Sequence, residues 1–196
     1  MKKELYVVSG CNGAGKTAAS NIIFEQSGYE YVNADEIEKG VIKSYSINAS
    51  IDAGKLMIKR IEKLLLEGKS FGFETTLSGK VHLERILRAK ELGYNVTLFY
   101  YWLSSVETAK ERVGIRVEEG GHNVPTNIIE QRYYRGIKNL FSLYLPVVDK
   151  AIIYDNSYYC PPIKIAVYEN NKTVIIDKNT YNQLLNLYRT LCQKQK

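Results

Sequence analysis

The chain has 196 residues, 45% of them apolar and 24% charged, which is enough for one well-packed core and marginal for two. With 14 glycines and only 4 prolines, this composition excludes a disordered, collagen-like or proline-rich chain. The 27 Lys and Arg residues outnumber the 21 Asp and Glu residues, and the resulting charge of +6 favours an anionic partner such as a nucleotide, a phosphosugar or a nucleic acid.

In chain order, the first predicted element is a buried strand over Leu5–Val8. Placed after Met1-Lys2-Lys3 it imitates a secretion signal, but its apolar run is shorter than the roughly 7 to 15 residues such a signal needs. A glycine-rich segment from Gly10 to Thr17 leads into a helix, and Tyr29–Val32 reads as a second strand. Ile51, Ile58, Ile61 and Leu65 share one face of a helix that runs from Asn48 to Leu66 and ends at Gly68. Strands follow at Ser70–Glu74 and Asn95–Tyr101. The longest charge-free stretch, Tyr94 to Val106, is far short of the roughly 20 apolar residues of a membrane span, so a soluble, cytoplasmic protein is expected. Ser104-Ser105-Val106-Glu107 has capping-box spacing and opens a helix over Glu107–Val117. Glu118–Pro125, with its paired glycines, reads as a hinged loop. Asn127 and Glu130 then start a helix to about Tyr144, stopped by Pro146.

A fifth strand at Ala151–Tyr154 precedes a hairpin, Ile163–Tyr168 and Thr173–Ile176 around Glu169-Asn170-Asn171-Lys172, and Thr180–Leu191 closes the chain as a helix. Strands alternating with amphipathic stretches predict an α/β fold with a mostly parallel sheet covered by helices. Residues 1–196 are expected to form one domain, with a lid at about 112–138 and a C-terminal appendage at about 158–196. Cys11, Cys160 and Cys192 are odd in number and form no C-x-x-C pair, which argues against a disulfide scaffold or a structural zinc site.

Gly10-Cys11-Asn12-Gly13-Ala14-Gly15-Lys16-Thr17 satisfies G-x-x-x-x-G-K-[ST] directly after an apolar strand and at the start of a helix. Gly10, Gly13 and Gly15 let the backbone, with Asn12 and Ala14, turn its N–H groups inward as a nest for phosphate oxygens, and the helix adds its positive end. Lys16 is expected to reach the β- and γ-phosphates of ATP and Thr17 to ligate Mg2+. Neither the N-K-x-D element of a GTPase nor a strand ending in Asp-Glu with an L-S-G-G-Q signature is present. A kinase is the class that remains.

Val32-Asn33-Ala34-Asp35 ends the second strand, on the sheet edge where ligands of open α/β folds gather. Asp35 is the candidate general base for a substrate hydroxyl, with Asn33 beside it; the alternative role for Asp35 is to cap a helix through Ile42. Glu74, Thr75 and Thr76 end the third strand on the same edge. Glu74 is a candidate for a magnesium-bound water or a substrate hydroxyl, and otherwise a solvated strand-end carboxylate. Arg112 and Arg116 lie one turn apart on the helix entering the loop, and Arg132 and Arg135 share a face of the helix leaving it. They read either as a clamp on transferring phosphate or as a solvated basic face. His122 has no partner at metal spacing, and Tyr133, Tyr134 and Tyr144 fall on an apolar helix face as packing residues. A nucleic-acid binder or polynucleotide-end kinase, and a nucleotide-gated regulatory module, are the rival readings. The basic residues gather around a closable loop instead of forming a stripe, which disfavours nucleic acid.

The order of these motifs, with Phe73-Glu74-Thr75-Thr76-Leu77-Ser78-Gly79, Gly120-Gly121-His122-Asn123-Val124-Pro125 and Tyr154-Asp155-Asn156-Ser157, resembles the zeta-toxin-like family of P-loop kinases from about Leu5 to Ser157. The resemblance implies a three-layer kinase-like fold with a five-stranded parallel sheet ordered 2-3-1-4-5, and ATP with Mg2+ as phosphoryl donor. It implies a UDP-sugar such as UDP-N-acetylglucosamine as acceptor and a small antitoxin protein as partner. By position, the family's base corresponds to Asp35, its phosphate-loop lysine to Lys16, its strand-end carboxylate to Glu74 and its lid arginines to Arg116 and Arg132. Arg112 is assigned to the nucleotide, and Asn33, Thr75, Thr76 and Arg135 to the acceptor.

Overall fold

The structure is a computed structural model that describes residues 2–25, 27–37, 49–158 and 161–193. The elements in order are β1 (Lys3–Ser9), α1 (Lys16–Phe24), β2 (Glu30–Val32), α2 (Ala49–Leu66), β3 (Phe71–Thr75), α3 (Val81–Glu91), β4 (Tyr94–Trp102), α4 (Val106–Glu118), α5 (Thr126–Asn139), β5 (Lys150–Asp155), β6 (Ile163–Glu169), β7 (Lys172–Ile175) and α6 (Lys178–Gln193). One π-turn, Leu140–Tyr144, continues α5, with the N–H of Leu145 donating to Leu140 O.

The strands form one sheet ordered β2-β3-β1-β4-β5-β6-β7. The first five are parallel and keep the expected 2-3-1-4-5 order, while β6 and β7 are antiparallel. The expectation of a five-stranded sheet is therefore corrected to a mixed sheet of seven strands, in which the C-terminal hairpin continues the sheet. The physical reason lies in β5: Ala151 and Ile153 are buried there, and its outer backbone edge is paired along β6. Asn170 and Asn171 turn the hairpin with φ of 52° and 59°, the left-handed pair that a tight two-residue turn demands.

Pleating decides which helices lie on which face. Gly72 lies across from Tyr6 and Tyr31 in register, and a β-carbon on it would stand 2.2 Å from the ring of Phe24 on α1. Its neighbour Phe73 points the other way and stacks on His82 of α3 at 5.0 Å. α1 and α3 thus cover opposite faces, giving three layers. On the α3 face of the sheet lie the fully buried Leu5, Val7, Phe71, Phe73, Val96 and Leu98.

Several predicted boundaries shift. Ser105, not Ser104, caps α4: its hydroxyl accepts from the N–H of Thr108 at 3.1 Å. Helical backbone resumes at Ala34, with the side chain of Asn33 accepting from the N–H of Asp35 at 2.9 Å, so the capping role belongs to Asn33. The predicted extension of that helix to Ile42 lies outside the described residues. α3 has no start signal in the sequence, since its N-cap is Lys80, which makes no side-chain capping bond. Among the described residues no helix is long and apolar enough to cross a membrane.

Candidate active site

Strand order reverses at β1, whose neighbours β3 and β4 lead to opposite sides of the sheet, and the crevice at its carboxyl end is the place for a ligand. The segments following β1, β2, β3, β4 and β5 all arrive there. The loop between β1 and α1 is shaped by Gly13 and Gly15, at φ of 80° and 79°. A β-carbon on Gly15 would sit 2.4 Å from the side-chain amide of Asn156, which instead donates to Ala14 O at 2.9 Å. Gly15 caps α1 without a side-chain bond, which leaves the first N–H groups of that helix to face the crevice.

Glu74 gathers the floor of the site. Its Oε2 accepts from Tyr31 Oη at 3.1 Å, from Thr17 Oγ1 at 3.3 Å and from Asn33 Nδ2 at 3.3 Å. Its Oε1 stands 3.4 Å from Lys16 Nζ, which also donates to Cys11 O at 2.9 Å. Burial, and then the Glu74 charge, push the Tyr31 phenol far above its usual range, so it stays a donor. Burial also raises the Cys11 thiol, to about 11, which keeps it inert.

Arginines form the roof. Arg116 Nη1 lies 3.8 Å from Asp35 Oδ2, and its Nη2 donates to His122 O at 2.7 Å, which ties the Gly120-Gly121 turn to the helix. Arg132 donates to Asn12 Oδ1 at 3.1 Å; burial lowers its pKa, and the nearby Asp35 opposes that shift. Arg112 donates to Ser157 O at 2.8 Å. Arg135 is exposed and does not join this group.

Three neighbouring cavities lie in the crevice, and the smallest shares wall residues with each of the other two. An apolar one of about 520 Å³ lies between α1 and the ends of β4 and β5, with Tyr101 and Tyr154 stacked at 5.1 Å and Arg112 and Asn156 at its mouth. A small one of about 220 Å³ lies over Gly13, Gly15, Lys16, Thr17 and Ala18, with Arg112 and Arg116 in its wall. The third, of about 350 Å³, is polar, with Asp35, Glu74, Thr75, Thr76, Ser78, His82 and Arg132 among its walls. Asp35, Glu74 and Lys16 border both the small and the polar cavity. The structure brings together the loop, Asn33, Asp35, Glu74, Thr75, Thr76 and three of the four arginines singled out in the sequence, and it adds Asn156, Tyr31 and His82. Asn156 stands at a strand's carboxyl end and was recoverable by that rule, whereas a tyrosine or histidine that meets the site through a distant element leaves no local signal. The imidazole of His82, largely withdrawn from water and beside Arg85, is held neutral with a pKa lowered to about 4.

Thr17 Oγ1 and Glu74 Oε2 give a hydroxyl and a carboxylate within one hydrogen bond of each other at the loop. That pair suits a magnesium ion, which takes one or two protein oxygens and completes its shell from phosphate and water.

A family model described as zeta toxin matches residues 1–181. A Haemophilus influenzae protein, described as uncharacterized, is 31% identical over 141 residues, covering 68% of this chain and 99% of its own. Among solved structures, the AvrRxo1-ORF1:AvrRxo1-ORF2 complex with sulphate ions superposes with a TM-score of 0.75 at 16% identity, over 93% of this chain and 63% of that one. The same pair with ATP superposes at 0.72 and 18% identity, again over 93% and 63%. The chain therefore spans less than two thirds of the AvrRxo1 chain it matches. The PezAT toxin-antitoxin structure of Streptococcus pneumoniae gives 0.64 at 16% identity, over 98% of this chain and 87% of that one. At these identities the structural likeness is one of fold.

Proposed function

The chain belongs to the zeta toxin family, and from that premise we propose that it moves the γ-phosphoryl group of ATP onto a hydroxyl of a small acceptor. The observation that carries this reading is the small cavity over the phosphate loop, which shares Arg112 with the apolar cavity and Lys16, Asp35 and Glu74 with the polar one, and has Arg116 in its wall. The apolar cavity is suited to a nucleobase, which would slide beside the Tyr101–Tyr154 pair with Arg112 and Asn156 at its edge. An ATP complex is known for the AvrRxo1 relative in fold. The polar cavity would take the acceptor.

In the proposed reaction the acceptor oxygen attacks the γ-phosphorus, Asp35 takes the hydroxyl proton, and the bond from the γ-phosphorus to the bridging oxygen breaks to release ADP. Lys16 would exchange Glu74 for the β- and γ-phosphate oxygens. Arg116 and Arg132, already facing Asp35, would neutralise charge on the equatorial oxygens. Thr17 and Glu74 would hold Mg2+, which when bound neutralises charge on the β- and γ-phosphate oxygens. We read the acceptor as a UDP-sugar such as UDP-N-acetylglucosamine, residues 1–196 as one cytoplasmic domain, and an antitoxin protein as its partner; the AvrRxo1 and PezAT structures support the last point by being solved with partner proteins or as a toxin-antitoxin system.

The test incubates the protein with isotopically labelled ATP and, separately, UDP-N-acetylglucosamine, a small-molecule metabolite extract, and an oligonucleotide with a free 5′-hydroxyl. Label in a small molecule supports the proposal. Label in the oligonucleotide alone favours an end kinase, and label in inorganic phosphate alone favours a nucleotide-gated module.

A further inference from the structure

The loop joining β3 to α3 forms one wall of the polar cavity, to which Thr75, Thr76, Ser78 and Gly79 contribute. Its middle residue, Leu77, breaks a rule of local conformation. It is fully buried and sits at φ 55°, in the left-handed region that a bulky side chain rarely adopts. Such a conformation persists only where the surroundings over-determine it.

The surroundings are specific. Within the loop, Thr75 Oγ1 accepts from the N–H of Leu77 at 3.1 Å, and the hydroxyls of Thr76 and Ser78 lie 2.8 Å apart. From outside, Asn139 at the end of α5 donates through its side-chain amide to Leu77 O at 2.6 Å. Tyr144, wholly buried at the end of the π-turn, donates to Gly79 O at 2.8 Å. Gly136 allows α5 to close on the loop, since a β-carbon there would stand 2.8 Å from Thr76 O. The π-turn has its own consequence: an i+5 turn shifts the angular position of Tyr144 relative to α-helical spacing, and it is Tyr144 that reaches Gly79. Two side chains thus fix two carbonyls that flank Ser78, turning the loop's hydroxyls and the side of Gly79 toward the cavity.

The same helix reaches the phosphate loop, through Arg132 and Asn12. α5 therefore touches the phosphate loop from its middle, at Arg132, and the strained loop from its C-terminal end, at Gly136 and Asn139. We infer that Asn139 and Tyr144 are positioning residues for acceptor recognition: they hold residues 75–79 in the strained shape that presents Thr76 and Ser78 to the acceptor, without contributing to donor binding. This inference rests on the assignment of the polar cavity to the acceptor. Neither residue borders that cavity, so any effect on the acceptor must pass through the loop.

The experiment compares wild type with Tyr144→Phe, which removes only the hydroxyl, and with Asn139→Ala. Labelled phosphoryl transfer is followed against serial dilutions of a small-molecule metabolite extract, so that the half-saturating dilution is read without naming the acceptor. ATP affinity is measured separately by thermal shift. Each variant should need about tenfold more extract for half-saturation, with the plateau rate within about threefold of wild type and ATP affinity unchanged. A merely structural role would lower the plateau or the affinity for ATP together with the melting temperature. Unchanged half-saturation in both variants overturns the inference, as does an equal loss on the donor and acceptor sides. Should Tyr144→Phe fail to fold, Asn139→Ala decides alone, because its side chain is only partly buried. No transfer by wild type from any extract is a separate result, and it removes the kinase reading itself together with this inference.

Discussion

The roles proposed for Asp35 and Lys16 are distinct, and single substitutions separate them. Asp35 is partly exposed and lies against Arg116, so Asp35→Asn preserves shape and packing while removing most of the proton affinity. Acceptor phosphorylation should fall by roughly 10² to 10⁴, the usual range for general acid–base catalysis, with ATP binding retained. Transfer at the wild-type rate would leave Asp35 with no chemical role and move Glu74 into its place. Lys16 is buried to within a few per cent and shares its ammonium between Cys11 O and Glu74. Lys16→Ala should abolish the stabilisation that ATP confers, which at a hundredfold excess over Kd is about 2.7 kcal/mol and is read as a thermal shift. An undiminished shift in the variant would show that the nucleotide binds elsewhere.

Among the elements, α6 depends on one carboxylate. Asp177 precedes it and accepts from the N–H groups of Asn179 and Thr180 and from the Thr180 hydroxyl at 2.7 Å. The Thr180 hydroxyl first, then the Thr180 N–H, hold its pKa below the ordinary aspartate value despite an opposing desolvation effect. Since the folded value lies below the unfolded one, this cap stabilises the helix above about pH 4 and its contribution is lost as pH falls through the folded value. Amide-exchange protection in the first turn of α6 should therefore decline in acid, and Asp177→Asn should flatten that dependence. A wild-type profile equal to that of the variant would refute it. α4 offers a simpler case: Ser105→Ala should cost about 1 kcal/mol through the lost cap, seen as a lower melting temperature with the site unaltered.

For the whole molecule, the question is whether the C-terminal hairpin and helix unfold with the rest. β6 pairs with β5 along its length, Ile165 is fully buried, and α6 packs on both β6 and α5. Ile165→Ala should cost about 2–4 kcal/mol and lower the single melting transition by roughly 2–4 °C per kcal/mol. Two separated transitions in calorimetry would instead mark the region beyond residue 158 as an independent unit.

Local chemistry determined much of this protein. A phosphate loop needs its glycines and its lysine at fixed spacing because backbone N–H groups must converge within a single turn, and that requirement is met inside eight consecutive residues. The five parallel strands were legible for a similar reason, as short β-branched and aromatic runs bounded by turn residues. Tertiary structure alone decided what those pieces do to one another. It extended the sheet to seven strands, because the buried edge of β5 is satisfied by a hairpin that lies next to it in space and whose pairing leaves no mark in its own sequence. It placed Arg112, Arg116 and Arg132 at the crevice and left Arg135 in solvent, although helical spacing treats all four alike. It also held Leu77 in a conformation its own side chain disfavours, with donors more than 60 residues away. Periodicity reports which face a residue occupies on its own element; which loop that face meets depends on packing between distant segments, whose contacts are not encoded within either one.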